Sequence, residues 1–191
     1  MMLNVEQRAR LLSVARQAIE AAVTAEAAVT GAAAADTQTD DPALAQVQGA
    51  FVTLKKQGQL RGCIGHIEGH FPLIETVREM AVSAALQDPR FPPVRAGEID
   101  ELSIEISVMS PIMQVNDIDE IQVGRDGLII SAGPCRGLLL PQVPVEWEWD
   151  REEFLCHTCL KAGLPEDAWQ GDVTIERFEA EVFGEQDEAA E

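Results

Sequence analysis

Tyrosine is absent from this chain and histidine occurs only three times, which excludes phenolic acid catalysis and narrows a neutral-pH general base to His66, His70 or His157. Basic residues are scarce as well: 14 Lys and Arg stand against 33 Asp and Glu, a formal net charge of −19. Such a balance repels phosphate backbones and anionic lipid, so neither nucleic-acid nor membrane binding is expected, although a local basic pocket stays open. No apolar run reaches the roughly 18 residues of a membrane span. The alanine-rich N-terminal stretch carries Glu20 and Glu26 where a signal or spanning helix needs apolar side chains. A cytoplasmic location is the default, and there the four cysteines read as reduced thiols rather than a disulfide framework. The motifs G-x-G-x-x-G, G-x-x-x-x-G-K before Ser or Thr, H-E-x-x-H and G-x-S-x-G are all missing. Dinucleotide, nucleotide-phosphate, zinc-protease and serine-hydrolase sites lose their usual signatures.

What is present suits one domain over residues 1–191, with room for a substantial core or for two lobes around a cleft. Asn4 with Gln7 has capping-box form, and Val5, Ala9, Leu12, Ile19 and Val23 recur at helical spacing. From about 24 to 45 the alanine-rich stretch and the run ending Asp40-Asp41-Pro42 predict a mobile linker, and the acidic residues from about 185 to 191 predict a disordered tail. Ala50 to Lys55 and Leu60 to Gly65 read as a hairpin, and Pro72 opens a helix striped by Leu73, Val77, Met80, Ala81 and Ala84. Asp88-Pro89-Arg90-Phe91-Pro92-Pro93 predicts a stiff surface loop. Leu102, Ile104, Ile106 and Val108 alternate as in a half-buried strand, and Asp126-Gly127 signals a second hairpin. Helices are expected around Val143 to Trp149 and Glu152 to Ala162, then a closing strand from Val173 to Phe183.

The chemistry concentrates in Leu60-Arg61-Gly62-Cys63-Ile64-Gly65. Strict alternation would set Arg61, Cys63 and Gly65 on one face, so that the guanidinium favours thiolate at Cys63 while the glycines let another molecule approach the backbone. The competing reading is a small apolar cysteine in a glycine-kinked strand, with Arg61 paired to a carboxylate. His66 would reach Cys63 only if the strand bends. Cys156-His157-Thr158-Cys159 resembles half a metal site, but no second Cys-x-x-Cys completes it, and no metal or cofactor is expected. Arg90 and Arg95 either bind an anion or pair with Asp88 and Glu98. Glu105 lies on the polar face of its strand, and Trp147 and Trp149 bracket Glu148.

The hexapeptide, taken with Asp88-Pro89-Arg90-Phe91-Pro92-Pro93-Val94, Val123-Gly124-Arg125-Asp126-Gly127-Leu128, Gly137-Leu138-Leu139-Leu140-Pro141-Gln142-Val143 and Lys161-Ala162-Gly163-Leu164-Pro165, resembles the AMMECR family, in the form called AmmeMemoRadiSam system protein A. The resemblance runs from about Phe51 to Phe183. It implies an α+β fold, a mixed and mainly antiparallel sheet with packed helices, and two unequal lobes around a cleft near the motif. It also implies a shared pathway with a Memo-like protein and a radical S-adenosylmethionine enzyme, but no reaction. Carried over residue by residue, it marks Arg61, Gly62, Cys63, Gly65, Arg90, Glu105, Arg125, Trp147 and Cys159, while His66, His70, Cys135 and Cys156 lie outside its pattern. The expected function is an accessory enzyme using the Cys63 thiol, with Arg61 beside it, on a small anionic or thiol-reactive substrate. Gly62, Gly65, Arg90, Glu105 and Trp147 would then contact substrate or partner. The alternative is a non-catalytic docking or scaffold subunit of the same system, and a homodimer is left open.

Overall fold

Asn4 and Gln7 each accept the other's backbone N–H through their side chains at 2.9 Å, and this reciprocal cap starts helix α1, Val5–Ala25. The structure, a computed structural model, describes residues 2–25 and 36–188. The centre of the expected linker lies outside the described residues. Its far end is anchored: Asp41 accepts Gln7 Nε2 at 2.9 Å, and Ala43 and Leu44 are buried.

Strands β1, Ala50–Lys56, and β2, Gln59–His66, form the expected hairpin. Gln57 and Gly58 between them both take positive φ, 53° and 77°, as a tight two-residue turn requires. Helix α2, Leu73–Leu86, buries Leu73, Val77, Met80, Ala81 and Ala84, the predicted stripe. A 3₁₀ turn over Ala96–Glu101 leads into β3, Leu102–Met109, which pairs antiparallel with the other side of β1. Ala50, Val52 and Leu54 of β1 join Ile104 and Ile106 of β3, Val77 and Ala81 of α2 and Leu11, Ala15 and Ile19 of α1 in one core. Phe51, Thr53 and Lys55 therefore point to the opposite face of this sheet.

The rest of the chain adds β4, Met113–Gln114, β5, Asp126–Ala132, β6, Cys135–Leu139, α3, Gln142–Glu146, α4, Arg151–Lys161, β7, Thr174–Gly184, and α5, Glu185–Glu188. β5 lies between β6 and β7, and β4 adds to β7, all antiparallel. Leu128 and Ile130 pack with Phe154, Leu155 and Cys159 of α4. The chain divides into two compact units of unequal size, residues 1–109 with 181–191, and residues 110–180. The fold is α+β with a mainly antiparallel sheet. No helix among the described residues is long and apolar enough to cross a membrane.

Two local expectations change. Asp126-Gly127 is no hairpin turn: it opens β5, where Asp126 is fully buried against Arg125 Nη2 at 2.7 Å. The hairpin turn falls one strand later, at Gly133, whose φ is 56°. The acidic C-terminal segment begins as helix α5, because Glu185 accepts Arg16 Nη2 at 2.5 Å and the backbone N–H of Ile104 at 2.9 Å. Residues 189–191 lie outside the described residues.

Candidate functional site

The ladder between β1 and β2 slips by one residue: Lys55 faces Leu60, but Leu54 faces Gly62, so Arg61 has no partner opposite. A regular ladder continued from the turn would set Cys63 opposite Val52 and turn it into the core. The bulge at Arg61 instead sets Cys63 opposite Thr53, on the outer face. Arg61 and Cys63 are therefore not same-face neighbours. Arg61 Nε and Nη2 donate to the two Glu98 oxygens at 3.2 and 3.1 Å, and Nη1 donates to Pro92 O at 2.9 Å. The Arg61 hydrogen bonding to Glu98 first, and the backbone N–H of Arg95 next, hold the Glu98 carboxyl down at about 2. Arg61 thus ties the proline loop to β2.

The cation beside Cys63 is Arg90. Its Nη2 donates to the carbonyl of Cys63 at 3.3 Å, while the Cys63 N–H donates to Asp88 Oδ2 at 2.8 Å. Arg90 Nε and Nη2 grip the same Asp88 carboxylate at 3.0 and 2.7 Å, and the Arg90 N–H adds a third bond at 3.0 Å. Asp88 is 4 % exposed, and the hydrogen bond from Arg90 keeps it ionised, well below the usual carboxylate range, against the opposing cost of burial. The proline loop is thus more than surface: its Asp88 and Arg90 clamp both polar groups of one residue on an edge strand. Arg90 itself is half-exposed.

At the thiol, the Thr53 hydroxyl donates to Cys63 Sγ at 3.2 Å. Thr53 faces Cys63 on one side and Glu105 on the other, so the three side chains form a row across β2, β1 and β3. Lys55 Nζ donates to Glu105 Oε2 at 2.8 Å. Cys63, Thr53 and Glu105 are all half-buried.

The two glycines are filled by the chain's own atoms. A Cβ on Gly62 would stand 2.2 Å from the Ala84 carbonyl oxygen of α2, and one on Gly65 would stand 2.3 Å from the Phe51 ring. Both serve close packing. His66 is exposed, with its ring 5.8 Å from that of His70, and no hydrogen bond joins it to Cys63 among the described residues. Cys159 is buried on α4, which pushes its thiol up, and no group of three His, Cys, Asp or Glu among the described residues is placed to hold a metal ion. Trp147, Arg125 and Cys159 belong to the second unit, and the Cys63 row belongs to the first.

The structure thus gathers Cys63, Arg90 and Glu105 of the expected residues and adds Asp88, expected only as a pairing partner of Arg90, and Thr53, which sequence reasoning missed. Asp88 carried a signal, an Asp before Pro with Arg two residues on, which suits a side-chain-capped turn. Thr53 carried none, because only the bulge brings it opposite Cys63.

Comparison with known proteins matches the family model AMMECR1 over residues 12–183. The match begins within α1, some way before the stretch from Phe51 on which the sequence motifs lie. A protein of Thermococcus gammatolerans is 46% identical over 187 residues, 92% of this chain and 89% of its own. One from Methanothermobacter thermautotrophicus is 52% identical over 147 residues, 73% of this chain and 77% of its own. The crystal structure of the uncharacterized protein PH0010 from Pyrococcus horikoshii superposes with a TM-score of 0.74 at 42% identity, covering 92% of this chain and 89% of that one. Since the match spans both compact units and the Cys63 motif between its limits, the chain belongs to the AMMECR1 family.

Proposed function

We propose that this protein is an accessory enzyme whose Cys63 thiol, as nucleophile or carrier, acts on a small anionic or thiol-reactive substrate. One observation carries the reading: Cys63 is turned out of the core, and its sulfur accepts the Thr53 hydroxyl at 3.2 Å. The Thr53 hydroxyl orients the sulfur, and the Arg90 guanidinium holds the carbonyl of the same residue. The thiol proton passes to solvent, and the sulfur then bonds to an electrophilic carbon of the substrate as the bond from that carbon to its leaving group breaks, the group departing with the electron pair. The Arg90 guanidinium is half-exposed next to Cys63, which suits an anionic group on the substrate. Arg61 acts here as a positioning residue through Glu98 and the proline loop, a role different from the thiolate partner expected of it. The Memo-like protein and the radical S-adenosylmethionine enzyme enter as partners by family resemblance alone.

Alkylation by iodoacetamide tests the thiol directly, since the Cys63 sulfur displaces iodide. At pH 7, Cys63 is expected to react faster than Cys135 and Cys156, which are also half-buried, and Thr53→Val or Arg90→Ala is expected to slow it several-fold. Equal rates at the three cysteines, with no change in either variant, would sink the proposal.

The docking alternative keeps one argument of its own, since both motif glycines and Arg61 serve internal packing. Cys63→Ser separates the readings: a variant that binds its partners and retains pathway activity is a docking subunit, whereas one that binds without activity has lost a catalytic thiol.

A further inference from the structure

Three apolar side chains of the second unit, close in the chain or in space, are exposed to solvent. Val123 is 38%, Val145 56% and Trp147 68% exposed. Val145 Cγ2 lies 3.2 Å from the place a Cβ on Gly124 would take, so it sits against the turn that carries Val123. Just beyond α3 the chain closes a tight cap: Trp149 N donates to Pro144 O at 2.8 Å and Glu148 N to Val145 O at 3.3 Å, with Glu148 at φ 56°. Glycine usually holds that left-handed position, and a glutamate there keeps the turn while adding a charge. The turn stacks Trp147 on Trp149, with ring centroids 6.2 Å apart, and Trp149 on His157 at 3.7 Å. One face of Trp147 is thereby backed by rings, and its high exposure leaves the other open. Glu146 and Glu148 flank it in the chain and Asp150 follows, all exposed, and no ion pair is formed by Glu146 or Glu148 among the described residues.

We infer that this patch docks a basic segment of a partner protein, which lays an arginine or lysine on the open face of Trp147 and an apolar side chain against Val123 and Val145. Charge complementarity selects that occupant. An indole face attracts a cation, unneutralised carboxylates on either side reinforce it, and a net charge of −19 steers a basic partner inward over distance. A second copy of this chain would bring like charge to the same carboxylates. Solvent-facing tryptophan backed by a rigid stack also suits an anchor residue. The inference is independent of any chemistry at Cys63.

The test titrates the full chain, by calorimetry in about 0.15 M NaCl to screen long-range attraction, with an eight-residue peptide alternating leucine and arginine. Saturable one-to-one binding is expected, weakened at least tenfold by Trp147→Ala and several-fold by the pair Glu146→Gln and Glu148→Gln. The pair Glu6→Gln and Glu20→Gln, which makes the same charge change on exposed positions of α1, is expected to alter it less than twofold. Should Trp147→Ala lose its circular-dichroism signature, Val123→Ser with Val145→Ser reads the same contact. Absence of saturable binding, wild-type affinity in the patch variants, or equal weakening by the two glutamate pairs overturns the inference.

Discussion

Cys63 is held by its backbone more than by its side chain. Its N–H is taken by Asp88 at 2.8 Å and its carbonyl by Arg90 at 3.3 Å, so a buried carboxylate and its guanidinium stand where a further strand would otherwise pair. Arg61 makes the equivalent tie through Glu98, and the two together fasten the loop from Asp88 to Glu98 onto β2. Both carboxylates titrate below their ordinary range, chiefly through hydrogen bonds from Arg61 and Arg90. The folded protein then binds fewer protons at these groups than the unfolded chain. Their stabilisation is whole above the ordinary carboxylate range and is lost as pH falls, for Glu98 between about 4.5 and 2. Melting temperature is therefore expected to fall across that window, and Glu98→Gln is expected to flatten the fall; an unchanged slope in that variant contradicts the assignment. Cys63 and Arg90 were legible in the sequence as residue types. Which arginine meets the thiol was not, because pairing partners lie in distant segments and compete for the same carboxylates.

Elements explain what the residues alone do not. The hairpin turn at Gln57-Gly58 sets the first pairs of the ladder, and the bulge at Arg61 then reverses the facing of everything beyond it. Glycine takes up the consequence at position 62, where β2 runs so close to α2 that a Cβ would meet the Ala84 carbonyl oxygen at 2.2 Å. That neighbour is backbone and cannot swing aside. Gly62→Ala is expected to lower stability by about 1–3 kcal/mol, the usual range for overpacking. Gly97→Ala, with nothing within 4 Å of its new Cβ, is expected to stay within about 0.5 kcal/mol of wild type when both variants are unfolded by urea. Equal losses in the two variants would remove the packing account of the motif glycine. Strand and helix positions were readable from periodicity at β1, β3, α2 and β7, since hydrophobic spacing is local. Asp126-Gly127 misled for a physical reason: a turn-forming pair can equally begin a strand when a buried ion pair with Arg125 holds the aspartate.

The molecule as a whole carries its acidic excess in both compact units, each with its own core. Like charges at a net −19 destabilise the compact state, and salt screens them over a Debye length of about 10 Å at 0.1 M. Raising NaCl from about 0.02 to 0.3 M is expected to raise the melting temperature by about 2–4 °C, the shift that about 1 kcal/mol makes in a chain of this size. A fall would mean that the surface ion pairs outweigh the self-repulsion. By itself the sequence determined the family, the α+β class and the segment that holds the candidate site, because composition, hydrophobic period and short motifs are properties of neighbours along the chain. Only the tertiary structure decided that Cys63 faces outward, that Thr53 and Arg90 rather than Arg61 attend it, and that Asp88 fixes it. A single extra residue in a ladder changes no local spacing, yet it decides which side of the sheet a thiol occupies.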